Sequence, residues 1–378
     1  MTESKKNNSF ERLIQRAIDF YEYSKEISDY CPLFPDHVHI EPTNACNLRC
    51  VHCHQSMRGS FFTKKIGLMD INLYKKVIDD IRGVSSRITL NQQGEPLLHS
   101  QIVEMVRYAK DAGLSVSMLN NATKLTTELS QQLLDADLDR IVFSFEGSSC
   151  EIHEKIRVRS SYQRTLGNIL HFIRLNYERG QKTFICMSMV DTSYCHDDID
   201  NYKTFFEALP INTIFVNPQL TMSGASLTAD EIDMNQYTDI PADKIPTCRL
   251  PWESIVVNWD GLVSPCAVDY NESHIIGDAN TDSLINIFNN DKMRKFRRCH
   301  IEKDYDWIEK QGALCVPCNC RFSLEYDMGD LKNYVVNYIV RQSKVFATHL
   351  HSENPKSDHQ ELDSKYRYLL KKITELEN

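Results

Sequence analysis

Between Glu41 and Cys53 the chain reads EPTNACNLRCVHC, which sets Cys46, Cys50 and Cys53 in a C-x3-C-x2-C pattern. Thiolate sulfur is the soft ligand that iron–sulfur clusters take, so three such residues can hold three corners of a cubane [4Fe–4S] cluster. With no fourth cysteine close by, one iron is left open to another ligand. Spacing alone also allows a zinc knuckle completed by His52 or His54. Zinc ligands usually come as short-spaced pairs, however, and this loop instead follows a short apolar strand, His37 to Ile40.

The spacing, with NLRC inside it and His52 before the last cysteine, resembles the signature of the radical S-adenosylmethionine (SAM) superfamily. The resemblance implies that the open iron chelates the methionine end of SAM, whose cleavage gives a 5′-deoxyadenosyl radical that takes a hydrogen atom from substrate. It also carries further residues to the cofactor. Gln92-Gln93-Gly94-Glu95-Pro96 resembles the GGE-type motif for the methionine amino group, with Gln93 in the place of the first glycine. A carboxylate suits an ammonium partner, and glycine admits close backbone approach. Asn121, in Asn120-Asn121-Ala122, matches a Thr-Asn-Gly segment. Ser144 and Glu146, in SFEG, resemble an SxD segment that reaches the ribose or carboxylate. Arg157 matches the arginine that pairs with the SAM carboxylate, and Arg159 is its nearby competitor. By this resemblance His52, Gly94, Glu95, Asn121, Ser144, Glu146 and Arg157 bind the cofactor.

A second constellation follows. Cys248, an alternating strand Ser254–Trp259, an Asp260-Gly261 turn and Cys266 are succeeded by Cys315-x2-Cys318-x-Cys320. Asp-Gly between two β-prone runs is a hairpin signal. The spacing Cys248-x12-Gly261-x4-Cys266 resembles the opening of a SPASM or twitch domain, which holds auxiliary iron–sulfur clusters. With no cysteine after Cys320, the resemblance implies one auxiliary [4Fe–4S] cluster on Cys248, Cys266, Cys315 and Cys318. Cys299 and Cys320 remain as substitutes, and a four-cysteine zinc ribbon is the alternative. Cys31, Cys150, Cys186 and Cys195 read as core or surface thiols.

These groups need elements to position them. Expected strands are His37–Thr43, Arg87–Asn91, Ser115–Asn120, Arg140–Glu146, Thr183–Val190 and Thr213–Asn217. Expected helices are Ile71–Gly83, Gln101–Ala112, Thr126–Ala136, Arg164–Arg179 and Ile199–Leu209. The alternation implies right-handed βαβ units, a parallel sheet and an α/β fold. Pattern alone allows an open doubly wound sheet; the resemblance favours a partial (β/α)6 TIM-like barrel with its chemistry at the carboxyl ends of the strands. The expected division is an N-terminal helix in 1–35, the barrel in 36–222, a linker over 223–246, the SPASM/twitch domain in 247–325 with a helix at Ser283–Arg298, and a helical tail over 326–378.

The chain has 378 residues and a formal charge of −9, from 43 Lys and Arg against 52 Asp and Glu. That balance argues against a general nucleic-acid or anionic-membrane binder. No run approaches the roughly 20 apolar residues of a membrane span, and MTESKKNNSF lacks the apolar region of a signal peptide. The cytoplasm is the expected location. Two clusters point to an oxidoreductase that oxidises a hydroxyl of a sugar or aminocyclitol, with flavodoxin or ferredoxin as electron donor. Alternatives are maturation of a precursor peptide, for which the flanking segments look short of a leader-binding domain, epimerisation with Cys186 or Cys195 returning hydrogen, and a noncatalytic zinc scaffold.

Overall fold

Six apolar runs become six parallel strands lying side by side in chain order: β1 (His37–Ile40), β2 (Arg87–Leu90), β3 (Ser115–Asn120), β4 (Arg140–Ser144), β5 (Phe184–Asp191) and β6 (Thr213–Pro218). Between them run α1 (Ile71–Ile81), α2 (Ile102–Asp111), α3 (Thr127–Asp135), α4 (Cys150–Ile156), α5 (Tyr162–Glu178) and α6 (Ile199–Glu207). A doubly wound sheet reverses its strand order at a switch point. Here the order never reverses, so right-handed crossovers place the helices on one face and the sheet curls as part of a barrel. This is the partial (β/α)6 arrangement.

The computed structural model describes residues 28–31, 34–59, 63–220, 228, 241, 247–248, 250–310, 315 and 318. The chain divides into two units, 1–33 with 324–378, and 34–323. In the first, the Ser28 hydroxyl donates to the Tyr30 carbonyl at 2.8 Å. The N-terminal helix expected before residue 28, nearly all of the 223–246 linker, the 326–378 tail and Cys320 lie outside the described residues. No described helix is long and apolar enough to cross a membrane.

Local sequence explains the element ends. Asp70 caps α1 by accepting from the Asn72 and Leu73 amides, and Tyr74, Val77, Ile78 and Ile81 recur at helical spacing on its buried face. Thr126 caps α3 in the same way through Leu129. Several strands end before their expected limits. β1 stops at Ile40 and β4 at Ser144, which releases Glu41 and Glu146 into loops above the sheet. The short α4 went unanticipated, since its seven residues carry too little apolar repeat to register.

Alternation along the strands gives the sheet two unlike faces. Ile40, Leu90, Met118, Phe143 and Met187 are buried, and Phe143 meets Phe172 of α5 with ring centroids 5.6 Å apart, so this row faces the helices. The opposite row faces the barrel lumen. It holds His39, Thr89, Ser117 and Arg140 in register, with Ser144 and Ser188 nearer the carboxyl ends.

The hairpin comes next. After α7 (Leu250–Glu253), β7 (Ser254–Val257) pairs parallel with β1, then β8 (Leu262–Ser264) and β9 (Gly277–Asp278) add antiparallel, making one sheet of nine strands. Gly261 turns the hairpin at φ +92, a conformation that favours glycine. The single helix expected over Ser283–Arg298 is two: α8 (Leu284–Phe288) and α9 (Asp291–Glu302), followed by α10 (Tyr305–Lys310). The break falls where Asn290 turns extended and its side chain accepts from the Met293 amide, a role asparagine takes more readily than a helix interior.

Candidate active site

The loop after β1 carries the first thiols, and the end of α4 holds it in place. The Arg49 amide donates to the Val158 carbonyl at 3.1 Å, and the Val51 amide to the Ile156 carbonyl at 3.0 Å. These two bonds flank Arg157. Burial pushes the Cys50 thiol up, and pushes Cys53 up to about 11. Arg157 opposes both shifts, while Cys46 adds to both. A trio of thiols with Cys50 buried and Cys46 and Cys53 half-buried is costly to ionise without cations, and its donor chemistry fits a thiolate-held iron cluster. Among the described residues, no three His, Cys, Asp or Glu side chains close around a single-ion centre.

Around that loop the expected cofactor residues converge. Gly94 lies so near the backbone of 43–45 that a Cβ there would collide with the Thr43 and Ala45 carbonyls, and the Glu95 amide donates to Ala45 at 2.8 Å. Glu95 is buried and accepts from the Leu97 amide at 3.0 Å and the Asn121 amide at 2.7 Å. Burial raises it to about 7 against the opposing effect of those amides. Asn121 sends Nδ2 toward the Cys46 sulfur at 4.0 Å and to Asn47 Oδ1 at 3.2 Å. Ala122 stands at φ +58, which accounts for the glycine in the matching segment. Gln93 is buried, with no described hydrogen-bond partner for its carboxamide.

Arg157 and Glu146 face each other rather than open space. The guanidinium donates through Nε to Oε2 and through Nη2 to Oε1 at 2.9 Å, with both residues buried. Burial opposes ionisation of Glu146, yet Arg157 and His52 hold its carboxyl below the usual range. His52 Nε2 lies 3.9 Å from Glu146 Oε1, and burial lowers the imidazole to about 4. Arg159 is exposed and stands at φ +78, so Arg157 is the arginine at the thiols. Ser144 lines the lumen and is half-buried.

The second thiol set also comes together. The Cys266 thiol is raised by burial and then by the charges of Cys248, Cys318 and Cys315. The Val268 amide donates to the Cys266 sulfur at 3.3 Å, and His300 Nε2 lies 3.9 Å from the Cys315 sulfur. Cys299 sits in an apolar core with Phe296, Tyr305 and Ile308, against which Cys315 also packs. Of the remaining thiols, Cys31, Cys186 and Cys195 are buried and Cys150 is exposed. Cys195 lies within hydrogen-bond reach of Thr192 Oγ1 at 3.4 Å and the Val190 carbonyl at 3.2 Å.

Several contacts here have no local signal in the sequence. His54 stacks on Tyr270, Gln92 donates to the Ala267 carbonyl at 2.9 Å, and Lys64 pairs with buried Glu272 at 2.7 Å. Gln55 bridges the Asn44 and Gln93 carbonyls. Below them the lumen row offers neutral polar groups besides the Arg140 cation: His39 Nδ1 lies 3.2 Å from Asn91 Oδ1, and Asn217 donates to Ser188 at 3.0 Å. Arg140 is covered by the Phe184 and Phe215 rings.

Comparison with known proteins agrees with this geometry. The radical SAM superfamily profile matches residues 40–194, and an iron–sulfur cluster-binding domain of the SPASM type matches 248–319. The AdoMet-dependent heme synthase of Methanosarcina barkeri is 34% identical over 130 residues, covering 34% of this chain and 36% of the relative. The Oleidesulfovibrio alaskensis protein of the same name is 24% identical, covering 44% and 40%, so the chain spans two-fifths or less of these two relatives. A Pyrococcus furiosus protein that modifies the cofactor of a tungsten-containing aldehyde ferredoxin oxidoreductase is 23% identical, covering 77% and 89%. The fold is shared with BtrN, solved with AdoMet and 2-DOIA, at TM-score 0.51 and 19% identity, covering 76% and 93%. It is shared also with Streptococcus suis SuiB, solved with precursor peptide SuiA, at TM-score 0.60 and 11% identity, covering 75% and 70%. The zinc alternatives fall to these matches. A [4Fe–4S] cluster with SAM, and auxiliary iron–sulfur chemistry, are the cofactors that the two matched domains bring. Residues 40–194 are thus a radical SAM domain, and residues 248–319 a SPASM-type iron–sulfur cluster-binding domain.

Proposed function

We propose that this radical SAM enzyme oxidises a hydroxyl group of a small polar molecule, a sugar or aminocyclitol, to a carbonyl. When bound, SAM and its cluster supply hydrogen-atom abstraction, and an auxiliary cluster supplies an acceptor for the second electron. Cys46, Cys50 and Cys53 hold the first group, and Cys248, Cys266, Cys315 and Cys318 hold one auxiliary [4Fe–4S] cluster. Gly94 leaves room for the methionine amino group beside Glu95. Glu146 orients Arg157 toward the SAM carboxylate, while His52, Asn121 and Ser144 line the rest of the cofactor site. A flavodoxin or ferredoxin supplies the electron for SAM cleavage.

The observation that carries this reading is the gathering of four auxiliary cysteines, with Cys248, Cys315 and Cys318 all acting on Cys266. A cluster with every iron held by protein has no open site for substrate, which suits it to electron transfer. The polar groups of the lumen support a hydroxylated substrate, because His39, Asn91, Ser188 and Asn217 offer hydrogen bonds without charge.

The test uses anaerobically reconstituted protein and a panel of sugars and aminocyclitols deuterated at their carbinol carbons. Deuterium in 5′-deoxyadenosine, with one carbonyl formed per deoxyadenosine, is the expected result. Deuterium transfer accompanied by inversion and no carbonyl would assign epimerisation. No transfer from any panel member, with modification of a peptide instead, would overturn the small-molecule assignment.

A further inference from the structure

A stacked pair of rings joins the loop of the first cysteine set to that of the second. His54 follows Cys53 directly, and its Nδ1 lies 3.7 Å from the Cys53 sulfur. On its face lies Tyr270, with ring centroids 4.6 Å apart and the planes 23° from parallel. His54 is 2% exposed.

Each ring is anchored. Cys53 begins a single 3-10 turn over His54–Met57, and its carbonyl accepts from the Ser56 amide at 2.9 Å. Tyr270 stands four residues beyond Cys266, on a loop with little freedom. The Tyr270 amide donates to the Val268 carbonyl at 3.0 Å, and the Asp269 carboxylate accepts from the Ser273 and His274 amides, each at 2.9 Å. Gln92 ties the same loop to the barrel through the Ala267 carbonyl.

The chemistry of the contact fixes its polarity. A sulfur bound to iron is a thiolate and only accepts, so an attractive contact requires the proton on Nδ1. A neutral imidazole carries one N–H, and this contact places it on Nδ1. An N–H dipole aimed at a cluster sulfur favours the more negative, reduced state, and hydrogen bonds to sulfur are among the protein's controls on cluster potential.

We infer that Tyr270 is a positioning residue, holding His54 as a hydrogen-bond donor to the Cys53 sulfur, so that the SPASM domain sets the reduction potential of the SAM-binding cluster. The inference needs the two cysteine sets but no particular substrate, and so stands apart from the dehydrogenase reading. It makes the second domain an influence on how readily the first cluster accepts the electron that starts the reaction.

The test is a redox titration of the reconstituted full chain, followed by electron paramagnetic resonance, for wild type and four variants with iron and sulfide content checked. His54→Phe keeps a ring for the stack but removes the N–H, and the SAM-binding cluster should shift to a more negative potential. Tyr270→Leu should shift it the same way, whereas Tyr270→Phe should titrate like wild type. The double variant His54→Phe/Tyr270→Leu should shift no further than His54→Phe, since one residue acts through the other. If Tyr270→Leu loses iron, electron–nuclear double resonance decides: the exchangeable proton nearest the reduced cluster should vanish in His54→Phe. An unchanged potential in His54→Phe, or a Tyr270→Leu shift that adds to it, would overturn the proposal. A positive shift in Tyr270→Leu would assign water entry in its place.

Discussion

Arg157 closes on Glu146 as a two-point ion pair, both residues buried, between the backbone bonds that fasten the cysteine loop to α4. The pair is therefore a scaffold for the loop as well as a charge presented to it. Removing one partner of a buried pair strands the other charge, at a cost of about 3–5 kcal/mol. Glu146→Gln should lower the unfolding free energy by about that much, and Glu146→Gln/Arg157→Met should recover part of the loss. Chemical denaturation checks both, and a double variant no better than the single would show that the pair contributes no more than its packing.

Gly94 offers a separate handle on the cofactor site. A methyl group there meets the Thr43 and Ala45 carbonyls, which are backbone and cannot swing aside. Gly94→Ala should force the 92–95 loop outward at a cost of about 1–3 kcal/mol. SAM affinity, measured by equilibrium dialysis on reconstituted protein, should fall about tenfold or more, with iron content held.

The auxiliary ligands can be separated from their bystander by metal analysis. Two cubane clusters correspond to about eight iron per chain. Cys266→Ser and Cys315→Ser should each drop the count toward about four. Cys299→Ala should keep all the iron, because that thiol belongs to the core around Phe296 and Ile308. Iron lost from Cys299→Ala and kept by Cys315→Ser would reverse the assignment.

Glu41 predicts a pH dependence. Its carboxylate accepts from the Gln93 amide at 2.9 Å and the Trp259 amide at 3.2 Å. Burial nevertheless raises it from 4.5 to about 8. A carboxyl raised on folding contributes stability that is fully present below its unfolded value and lost as pH climbs to the folded one. Between about pH 4.5 and 8 the protein should lose about 1.4 kcal/mol per pH unit from this group, then level off. Thermal melts across that range should slope downward in wild type and less so in Glu41→Gln, whose absolute stability is lower for want of one acceptor.

Much of this is legible in the sequence. Cys46, Cys50 and Cys53 declare themselves by spacing, and the strands from Arg87 and Ser115 by short apolar runs between helical patterns. What stayed hidden is non-local or weakly patterned. Nothing in Ser254–Val257 says that it will pair parallel with β1, since strand pairing depends on surfaces far apart in sequence. The partnership of Glu146 with Arg157 was invisible for a related reason: each matched a cofactor motif on its own, and only folding set them face to face. Asn290 interrupted an expected helix because capping competes locally with helix continuation.

The parallel pairing of β7 with β1 reaches beyond topology. Each residue from His37 to Ile40 has a β7 partner on one side and a β2 partner on the other. A chain cut before residue 250 would leave β1 as a bare edge, a template for joining another molecule's strand. The barrel is therefore poor material for a minimal truncation. The same shared strand denies the auxiliary hairpin a hinge, so whatever passes between the two cysteine sets crosses a gap set by the sheet itself.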